Sequence, residues 1–195
     1  MIILEGPDCS GKTTLAQFLC GKLSAHFEHI GLPPPGVRHW DIVRDKLLTC
    51  PLNTVYDRMI VGSYVFKQFK ADKHNFNGVT GSELTSWQEL MEALYPKALI
   101  IDCFAPYTTL LRHFKDRGDD YVTENELGLS ARHYDDVWLH WAEFNSNILI
   151  FNSETMTLES FYRENLSAIE LALSSTATPN AAMRNVIKNH MGDIS

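Results

Sequence analysis

The chain has little of what marks secreted or membrane proteins. Its 195 residues include only four cysteines, scattered without paired spacing, so we expect reduced thiols and predict neither a disulfide framework nor a zinc site. No apolar run approaches the length of a membrane span, and no basic region precedes the first apolar residues. We therefore expect a cytoplasmic protein with no signal peptide and no membrane partner.

Positive charge, sequence repeats and low-complexity segments are also scarce. The 24 acidic residues outnumber the 17 basic ones and give a net charge of −7, which favours solubility and argues against broad non-specific binding to DNA. A local basic cleft remains compatible with this charge. With 45% hydrophobic residues and no internal repeat, the composition predicts one globular domain with a full-sized core. Whether the chain forms a homodimer stays open.

Residues 6–14 read Gly-Pro-Asp-Cys-Ser-Gly-Lys-Thr-Thr and directly follow the apolar run Ile2–Leu4. This is the pattern G-x-x-x-x-G-K-[ST] of a phosphate-binding loop, in its required place between a buried strand and an amphipathic helix. Its backbone N–H groups would surround phosphate oxygens, Lys12 would reach the β- and γ-phosphates, and the Thr13 hydroxyl would ligate Mg²⁺. The residues predicted to hold a nucleoside triphosphate are Gly6, Pro7, Cys9, Ser10, Gly11, Lys12, Thr13 and Thr14.

Segments typical of strands and of helices alternate along the chain, which predicts a three-layer α/β domain with a largely parallel sheet. The predicted strands are Ile2–Glu5, His29–Leu32, Thr54–Asp57, Ala98–Cys103 and Asn147–Phe151. Apolar spacing predicts helices directly after the loop, over 60–65, over 84–94, from Pro106 to Arg117, after the capping box of Thr123 and Glu126, and over about 158–173. The domain is predicted to cover 1–173, with 174–195 as a linker and a tail that is either loose or a docked helix.

Three further features predict what is done with the triphosphate. Asp57-Arg58 ends a predicted strand, where the carboxylate would hold Mg²⁺ through water and the Arg would bind a second anionic group. Arg112 and Arg117, followed by a glycine turn, predict a mobile lid over about 112–122 that closes over the transferred phosphoryl group. Asp8 lies within the loop, where it would either face the second substrate or only cap the loop. The candidate catalytic residues are therefore Lys12, Asp57, Arg112, Arg117 and Asp8.

Taken in order, these features resemble the nucleoside monophosphate kinase group of P-loop proteins, and thymidylate kinases most closely, across most of the first 150 residues. The family's loop carries an acid at the position of Asp8, and its Asp-Arg strand end, where the Arg contacts the acceptor phosphate, matches Asp57-Arg58. Its fourth strand, lid and following helix are similar to segments that contain Asp102, Arg112, 117–121, Arg132 and Tyr134. The resemblance implies a five-stranded parallel sheet flanked by helices, and the use of ATP with Mg²⁺.

The chain departs from thymidylate kinases at two positions. Cys9 stands where some of them carry an Arg in the loop, so cationic assistance is expected from the lid instead. Met59 stands where the family has an aromatic residue. The stretch 55–66 is more similar to small kinases encoded by bacteriophages, which include deoxynucleotide kinases and kinases that phosphorylate hydroxymethyluracil within DNA.

A deoxynucleoside monophosphate similar to dTMP is the first acceptor considered. Its phosphate is already ionised near neutral pH because its second pKa is about 6, so it needs an Arg clamp, supplied by Arg58, and no strong base. The base would stack on an aromatic side chain, although each candidate taken singly is also typical of a core residue. These candidates are Tyr64, Phe66 and Phe69, and the predicted acceptor site is Arg58, Asp8, Tyr64 and Phe66.

A hydroxyl group in DNA, or at a polynucleotide end, is the second candidate acceptor. It must lose a proton, so a carboxylate such as Asp8 or Asp57 would serve as general base. Basic residues at helical spacing would then follow the DNA backbone, although a solvated helix face is their simpler explanation. They are Lys67, Lys70, Lys73 and His74.

A nucleotide-dependent switch or binding module without acceptor chemistry is the third hypothesis. The lid arginines count against it, and the chain has no guanine-reading motif of the Asn-Lys-x-Asp kind. His39, Trp40 and Asp41 follow a Pro-rich loop and would either border the acceptor pocket or take core and helix-cap roles. Structural roles are expected for the histidines without metal-ligand spacing, which are His26, His29 and His133.

Overall fold

The computed structural model describes residues 1–31, 34, 37, 39–51, 53–59, 61–62, 65, 98–118, 122–141 and 148–174. The helix predicted over 84–94 and the predicted tail lie outside these residues. Of the helix predicted over 60–65, residues 61, 62 and 65 are described, and they are helical.

One sheet of five parallel strands forms the centre of the described structure. The strands are β1 (Ile2–Glu5), β2 (His26–His29), β3 (Thr54–Asp57), β4 (Leu99–Phe104) and β5 (Ile148–Asn152), in the order β2-β3-β1-β4-β5. Because all strands are parallel, their carboxyl ends meet at one edge, and the central β1 has β3 and β4 as neighbours. The predicted α/β fold with a five-stranded parallel sheet is confirmed.

Helices pack on both faces of the sheet. They are α1 (Lys12–Leu23), α2 (His39–Thr49), α3 (Tyr107–Arg117), α4 (Glu124–Trp141) and α5 (Leu158–Ser174). Side chains alternate along β1 and separate two cores, because Ile2 and Leu4 pack with residues of α1 and α5, whereas Ile3 packs with residues of α2 and α4. Burying each of these aliphatic side chains stabilises the fold by about 1.5–3 kcal/mol. In the described part of the chain, no helix is both long and apolar enough to span a membrane.

The position of β2 corrects the prediction of a strand over His29–Leu32. The structure places the strand at His26–His29, with Ile30 buried just beyond it. Because β2 lies at the edge of the sheet, it does not need a continuous apolar run, and its polar sequence His-Phe-Glu-His obscured it. The shift matters for function, since it brings His29 level with Asp57 of β3.

Helix α2 is not among the elements predicted from the sequence. Val43 and Leu47 lie one turn apart and pack into the same core as Tyr56, but most of the other residues of the helix are polar or charged. At the first residue of the helix, His39 Nε2 lies 3.2 Å from the carbonyl oxygen of Gly31 and joins the start of α2 to the segment just after β2. This contact agrees with the structural role that was one of the two expected for His39.

The start of α4 confirms the predicted capping box. The Thr123 N–H donates to the Glu126 carboxylate at 2.8 Å, and the Glu126 N–H donates to the Thr123 hydroxyl at 3.3 Å. The helix predicted from Pro106 is confirmed within one residue, since α3 begins at Tyr107 and ends at Arg117, just before Gly118. The last turns of α3 form the first half of the region predicted as a lid, and α4 begins just after that region.

Replacing Thr123 with Ala should lower the free energy of unfolding by about 1 kcal/mol, because the mostly buried Glu126 loses a hydrogen-bonding partner for its N–H. Urea unfolding followed by circular dichroism measures the change. Thr108→Ala, in the exposed first turn of α3, is the matched control and should change the free energy by less than about 0.5 kcal/mol. Equal losses in the two variants would contradict the capping role.

Candidate functional site

A cleft of about 760 Å³ opens at the carboxyl edge of the sheet, beside the loop that joins β1 to α1. Its walls come from segments that are distant in sequence, namely this loop, the residue after β3, the end of α3 and the link from β5 to α5. The lining residues are Asp8, Cys9, Gly11, Lys12, Thr13, Thr14, Arg58, His113, Asp116, Arg117, Phe151, Ser153, Met156, Thr157, Leu158 and Glu159. Most of the residues predicted to hold a triphosphate therefore face a single cavity.

The loop between β1 and α1 has an unusual backbone. The φ angles of Gly6, Cys9 and Gly11 are 139°, 66° and 88°. Gly6 also has no room for a side chain, since a Cβ atom there would lie 2.1 Å from the carbonyl oxygen of Cys103 in β4. The loop is thus packed tightly against β4, and the N-terminus of α1, with the partial positive charge of a helix start, lines the cleft.

Lys12 is the buried cation of this loop. The residue is 4% exposed, and its ammonium group donates to the carbonyl oxygen of Pro7. Burial, and after it the charge of Arg58, lowers the pKa of Lys12, whereas Asp8 and Asp57 act in the opposite direction. The ammonium group is thus held beside a neutral acceptor, which suits it to an anionic ligand.

Asp57, at the end of β3, is buried and lies against Thr13. The Thr13 hydroxyl donates to Asp57 Oδ2 over 2.5 Å, and His29 Nδ1 lies 3.0 Å from the same oxygen. Burial works to raise the pKa of Asp57, but the hydrogen bonds from His29 and Thr13 outweigh it and hold the pKa below its ordinary value. The other oxygen, Oδ1, is buried and has no hydrogen-bond partner among the described residues. A carboxylate with one unused oxygen, next to a hydroxyl, fits the preference of Mg²⁺ for oxygen ligands.

Arg58 follows Asp57 directly and lines the cleft. Its φ of 68° is left-handed, and its guanidinium group forms an ion pair with Asp8 of the loop. Burial works to lower the pKa of Arg58, but the charges of Asp8 and other nearby acids outweigh it and raise the pKa. The two predicted acceptor residues that the structure describes, Asp8 and Arg58, are therefore in contact.

Glu5, the last residue of β1, belongs to the site and was missed by sequence reasoning. Its fully buried carboxylate accepts hydrogen bonds from the N–H groups of Met59, Val61 and Gly62, at 2.9 to 3.1 Å. Burial raises the pKa of Glu5 to about 7, against the effect of these N–H donors. Glu5 thereby anchors the backbone of Met59, Val61 and Gly62, which follow Arg58. The sequence did indicate this role in one way, because an acidic residue directly follows the apolar run of a predicted strand.

Two neighbours complete the surroundings of Glu5. The Tyr134 hydroxyl donates to it from α4 at 3.4 Å, and a Cβ atom at Gly62 would lie only 2.9 Å from that hydroxyl. Asp102 of β4 is the register partner of Glu5 in the sheet, and burial raises the pKa of Asp102 to about 7 as well. The ends of β1 and β4 thus carry two adjacent carboxyl groups that hold their protons more tightly than usual.

Helix α3 contributes its last turns to the cleft. His113 Nδ1 lies 3.1 Å from the carbonyl oxygen of Cys9, which joins the helix to the loop. Arg117 lines the cleft, whereas Arg112 is exposed and is not among the lining residues. Arg132 of α4 is exposed as well. Of the two predicted lid arginines, only Arg117 lies at the cleft in this conformation.

The link from β5 to α5 was not predicted to take part in the site. Its Ser153 and Thr157 line the cleft, and the Ser153 N–H donates to the carbonyl oxygen of Phe104 at 3.0 Å. The sequence contained one indication that this link takes part in the site, because it follows a predicted strand that ends at the same edge of the sheet. Other predicted site residues lie outside the described part of the chain; they are Tyr64, Phe66, Phe69, Lys67, Lys70, Lys73, His74 and 119–121 of the lid.

Neither a protein-family model nor a curated protein matches the chain. Solved structures of low sequence identity do share its fold. The YorR protein from Bacillus subtilis, in complex with phosphorylated GDP, is 19% identical, with a TM-score of 0.65 over 87% of this chain and 95% of that one. Deoxyadenosine kinase from M. mycoides with bound dCTP is 13% identical, with a TM-score of 0.57 over 87% of this chain and 99% of that one. The same kinase with dCMP and dCDP bound is 14% identical, with a TM-score of 0.59 over 87% of this chain and 97% of that one.

The contribution of Glu5 to the free energy of unfolding should fall as the pH rises from about 5 to about 7. The folded protein holds a proton on Glu5 with a pKa of about 7, against 4.5 for the ordinary carboxyl, so the folded state binds more protons than the unfolded state in this range and loses stability as they leave. Glu5→Gln should reduce this slope, as should Asp102→Asn. Urea unfolding at a series of pH values measures it.

Glu164→Gln, on the exposed face of α5, is the control for this series and should leave the slope unchanged. A Glu5→Gln variant that unfolds with the wild-type pH dependence would show that Glu5 does not hold its proton as described.

Proposed function

We propose that the protein is an ATP- and Mg²⁺-dependent phosphotransferase that moves the γ-phosphoryl group to a nucleotide acceptor, with a deoxynucleoside monophosphate as the first candidate. The observation that carries this proposal is that Lys12 and Thr13 line one cleft, while the buried Asp57 carboxylate accepts a hydrogen bond from Thr13 and keeps one oxygen without a partner among the described residues. The folds of a deoxyadenosine kinase and of a protein with bound phosphorylated GDP support a nucleotide phosphotransferase in general.

The donor triphosphate would lie along the loop between β1 and α1. The backbone N–H groups at the start of α1 and the Lys12 ammonium group would bind the β- and γ-phosphate oxygens. Since Lys12 donates to the Pro7 carbonyl oxygen, it would exchange a neutral partner for an anionic one when the triphosphate binds. The residues of the link from β5 to α5 would border the nucleoside, because they form the wall beyond the loop.

Magnesium would be held by the Thr13 hydroxyl and, through water, by Asp57. The low pKa of Asp57 keeps this carboxylate ionised. Its Oδ1 accepts no hydrogen bond from the described residues, so it can accept one from a water bound to the ion. Bound Mg²⁺ supplies positive charge for the β- and γ-phosphate oxygens. His29, which contacts Asp57 Oδ2, would fix the orientation of the carboxylate.

Arg58 would hold the acceptor phosphate. Its guanidinium group is already turned toward an anion, since it pairs with Asp8 at the cleft, and a phosphate offers it two oxygens in the planar geometry that it prefers. An oxygen of the acceptor phosphate would then form a bond to the γ-phosphorus while the bond to the β,γ-bridging oxygen breaks, leaving ADP. Arg117, and Arg112 after closure of the lid, would stabilise the charge on the transferred group.

A hydroxyl acceptor is the second candidate, favoured by the deoxyadenosine kinase fold and by the phage-type stretch 55–66. Such an acceptor needs a general base, and the low pKa of Asp57 makes that residue a weak one. Asp8 at the cleft is the better candidate for this role. The acceptor would be either a deoxynucleoside or a hydroxymethyl group within DNA.

The acceptor can be identified with γ-labelled ATP offered together with each deoxynucleoside monophosphate, each deoxynucleoside, plain duplex DNA or duplex DNA containing hydroxymethyluracil. We expect the label in a deoxynucleoside diphosphate. Label in a monophosphate made from a deoxynucleoside, or label retained in DNA, would show that the acceptor is a hydroxyl group and not a deoxynucleoside monophosphate. Hydrolysis of ATP with no labelled acceptor would contradict phosphoryl transfer and favour a nucleotide-dependent switch.

In the same assay, Lys12→Ala should lower turnover by at least about 100-fold, because the charge that stabilises the transferred phosphoryl group is lost. Circular dichroism should show an intact fold. Lys22→Ala, at the exposed end of the same helix, is the matched control and should keep wild-type activity. Near-normal turnover by Lys12→Ala would end the proposal.

Arg58→Ala should raise the KM for a monophosphate acceptor by roughly 10- to 100-fold and change the KM for ATP far less, because a charged hydrogen-bond donor to the acceptor is removed. Steady-state kinetics with each substrate varied in turn separates the two constants. Arg163→Ala on the exposed face of α5 serves as the control. If the acceptor KM stays at the wild-type value, Arg58 is not the clamp.

A further inference from the structure

A second group of potential ligands lies away from the cleft, where the edge strand β2 meets the end of α2. His26 and Glu28 are two residues apart in the strand, so their side chains point to the same side. Cys50 follows the last residue of α2 and approaches the same carboxylate. One ligand atom from each of the three lies within 4.8 Å of the other two.

Two of the three distances within this group match those around a tetrahedral metal ion, and the third, between His26 and Cys50, is at most 4.8 Å. Glu28 Oε2 lies 3.4 Å from His26 Nε2 and 3.6 Å from Cys50 Sγ. A tetrahedral ion bound at about 2.0 Å to nitrogen and oxygen and at about 2.3 Å to sulfur holds its ligand atoms roughly 3.3 to 3.6 Å apart. Glu28 Oε2 therefore lies at ligand spacing from both His26 and Cys50, and these two side chains would need to adjust to hold an ion between them.

The remaining Glu28 oxygen is already engaged. Lys46 Nζ, from α2, lies 2.9 Å from Glu28 Oε1 and so fixes the plane of the carboxylate while leaving Oε2 directed at His26 and Cys50. Carboxylates that bind metal ions are commonly held by a hydrogen bond of this kind. The Glu28 side chain is 16% exposed and that of His26 is 45% exposed, so an ion has a route to the group from solvent.

We propose that His26, Glu28 and Cys50 form a zinc-binding site that ties the end of α2 to the edge strand β2. One nitrogen, one carboxylate oxygen and one thiolate are a donor set that suits Zn²⁺, whereas Mg²⁺ and Ca²⁺ prefer oxygen alone. On binding, the Cys50 thiol gives its proton to solvent and the ion takes its place. Three protein ligands leave a fourth position for water. This site is independent of the proposed phosphoryl transfer.

The test is a titration of the metal-free full chain with Co²⁺, with saturating Mg²⁺ present to occupy oxygen-only sites. Co²⁺ replaces Zn²⁺ and gives a near-ultraviolet charge-transfer absorption only where a thiolate is a ligand. We expect one equivalent to produce this band, Zn²⁺ to abolish it by displacement, and Zn²⁺ to raise the thermal midpoint of unfolding.

Variants assign the ligands. Cys50→Ser keeps the size and the hydrogen bond to Glu28 but should lose the band, and His26→Ala should weaken binding at least tenfold. Cys20→Ala in α1 is the matched control, and Cys9→Ala tests the thiol in the phosphate-binding loop; both should keep the band. The proposal is overturned if the wild-type chain gives no band, or if the band survives in Cys50→Ser.

Discussion

The buried carboxylate of Glu5 joins the two halves of the cleft. It ends the central strand β1, one residue before the loop, and its oxygens accept the N–H groups of Met59, Val61 and Gly62. A buried carboxylate costs several kcal/mol unless its oxygens are satisfied, so those backbone groups cannot move away cheaply. The loop on one side and Arg58 on the other are consequently held at a fixed separation, on which the proposed spacing of donor and acceptor depends.

Two positive groups of the cleft, Lys12 and Arg58, are paired locally. Lys12 donates to the carbonyl oxygen of Pro7, and Arg58 pairs with Asp8. Much of the desolvation cost of these cations has therefore been met during folding, and an incoming polyanion replaces existing partners instead of stripping water from exposed charges. Asp57 differs, because Oδ1 has no hydrogen-bond partner in the described structure and gains one only from a ligand or a water.

The parts of the site that could be predicted are those whose requirements are local in sequence. The spacing from Gly6 to Thr13 is dictated by one loop and one helix start, and Asp57-Arg58 was marked by the end of an apolar strand. Glu5 and His29 were missed because their roles depend on partners about 30 to 60 positions away, such as Asp57 for His29. The strand β2 was misplaced for a related reason, since an edge strand can be polar and only pairing with β3 defines it.

The approach of the loop to β4 also limits how this chain can be redesigned. At Gly6 even a methyl group would lie within 2.1 Å of the Cys103 carbonyl oxygen, so a library randomised over the loop would return glycine there whatever was selected. At Gly21 of α1, by contrast, a Cβ atom would meet nothing within 4 Å in the described structure. Directed evolution can therefore change Gly21 but not Gly6. Alanine at Gly21 should raise the free energy of unfolding by about 1 kcal/mol, which would offset destabilising changes elsewhere.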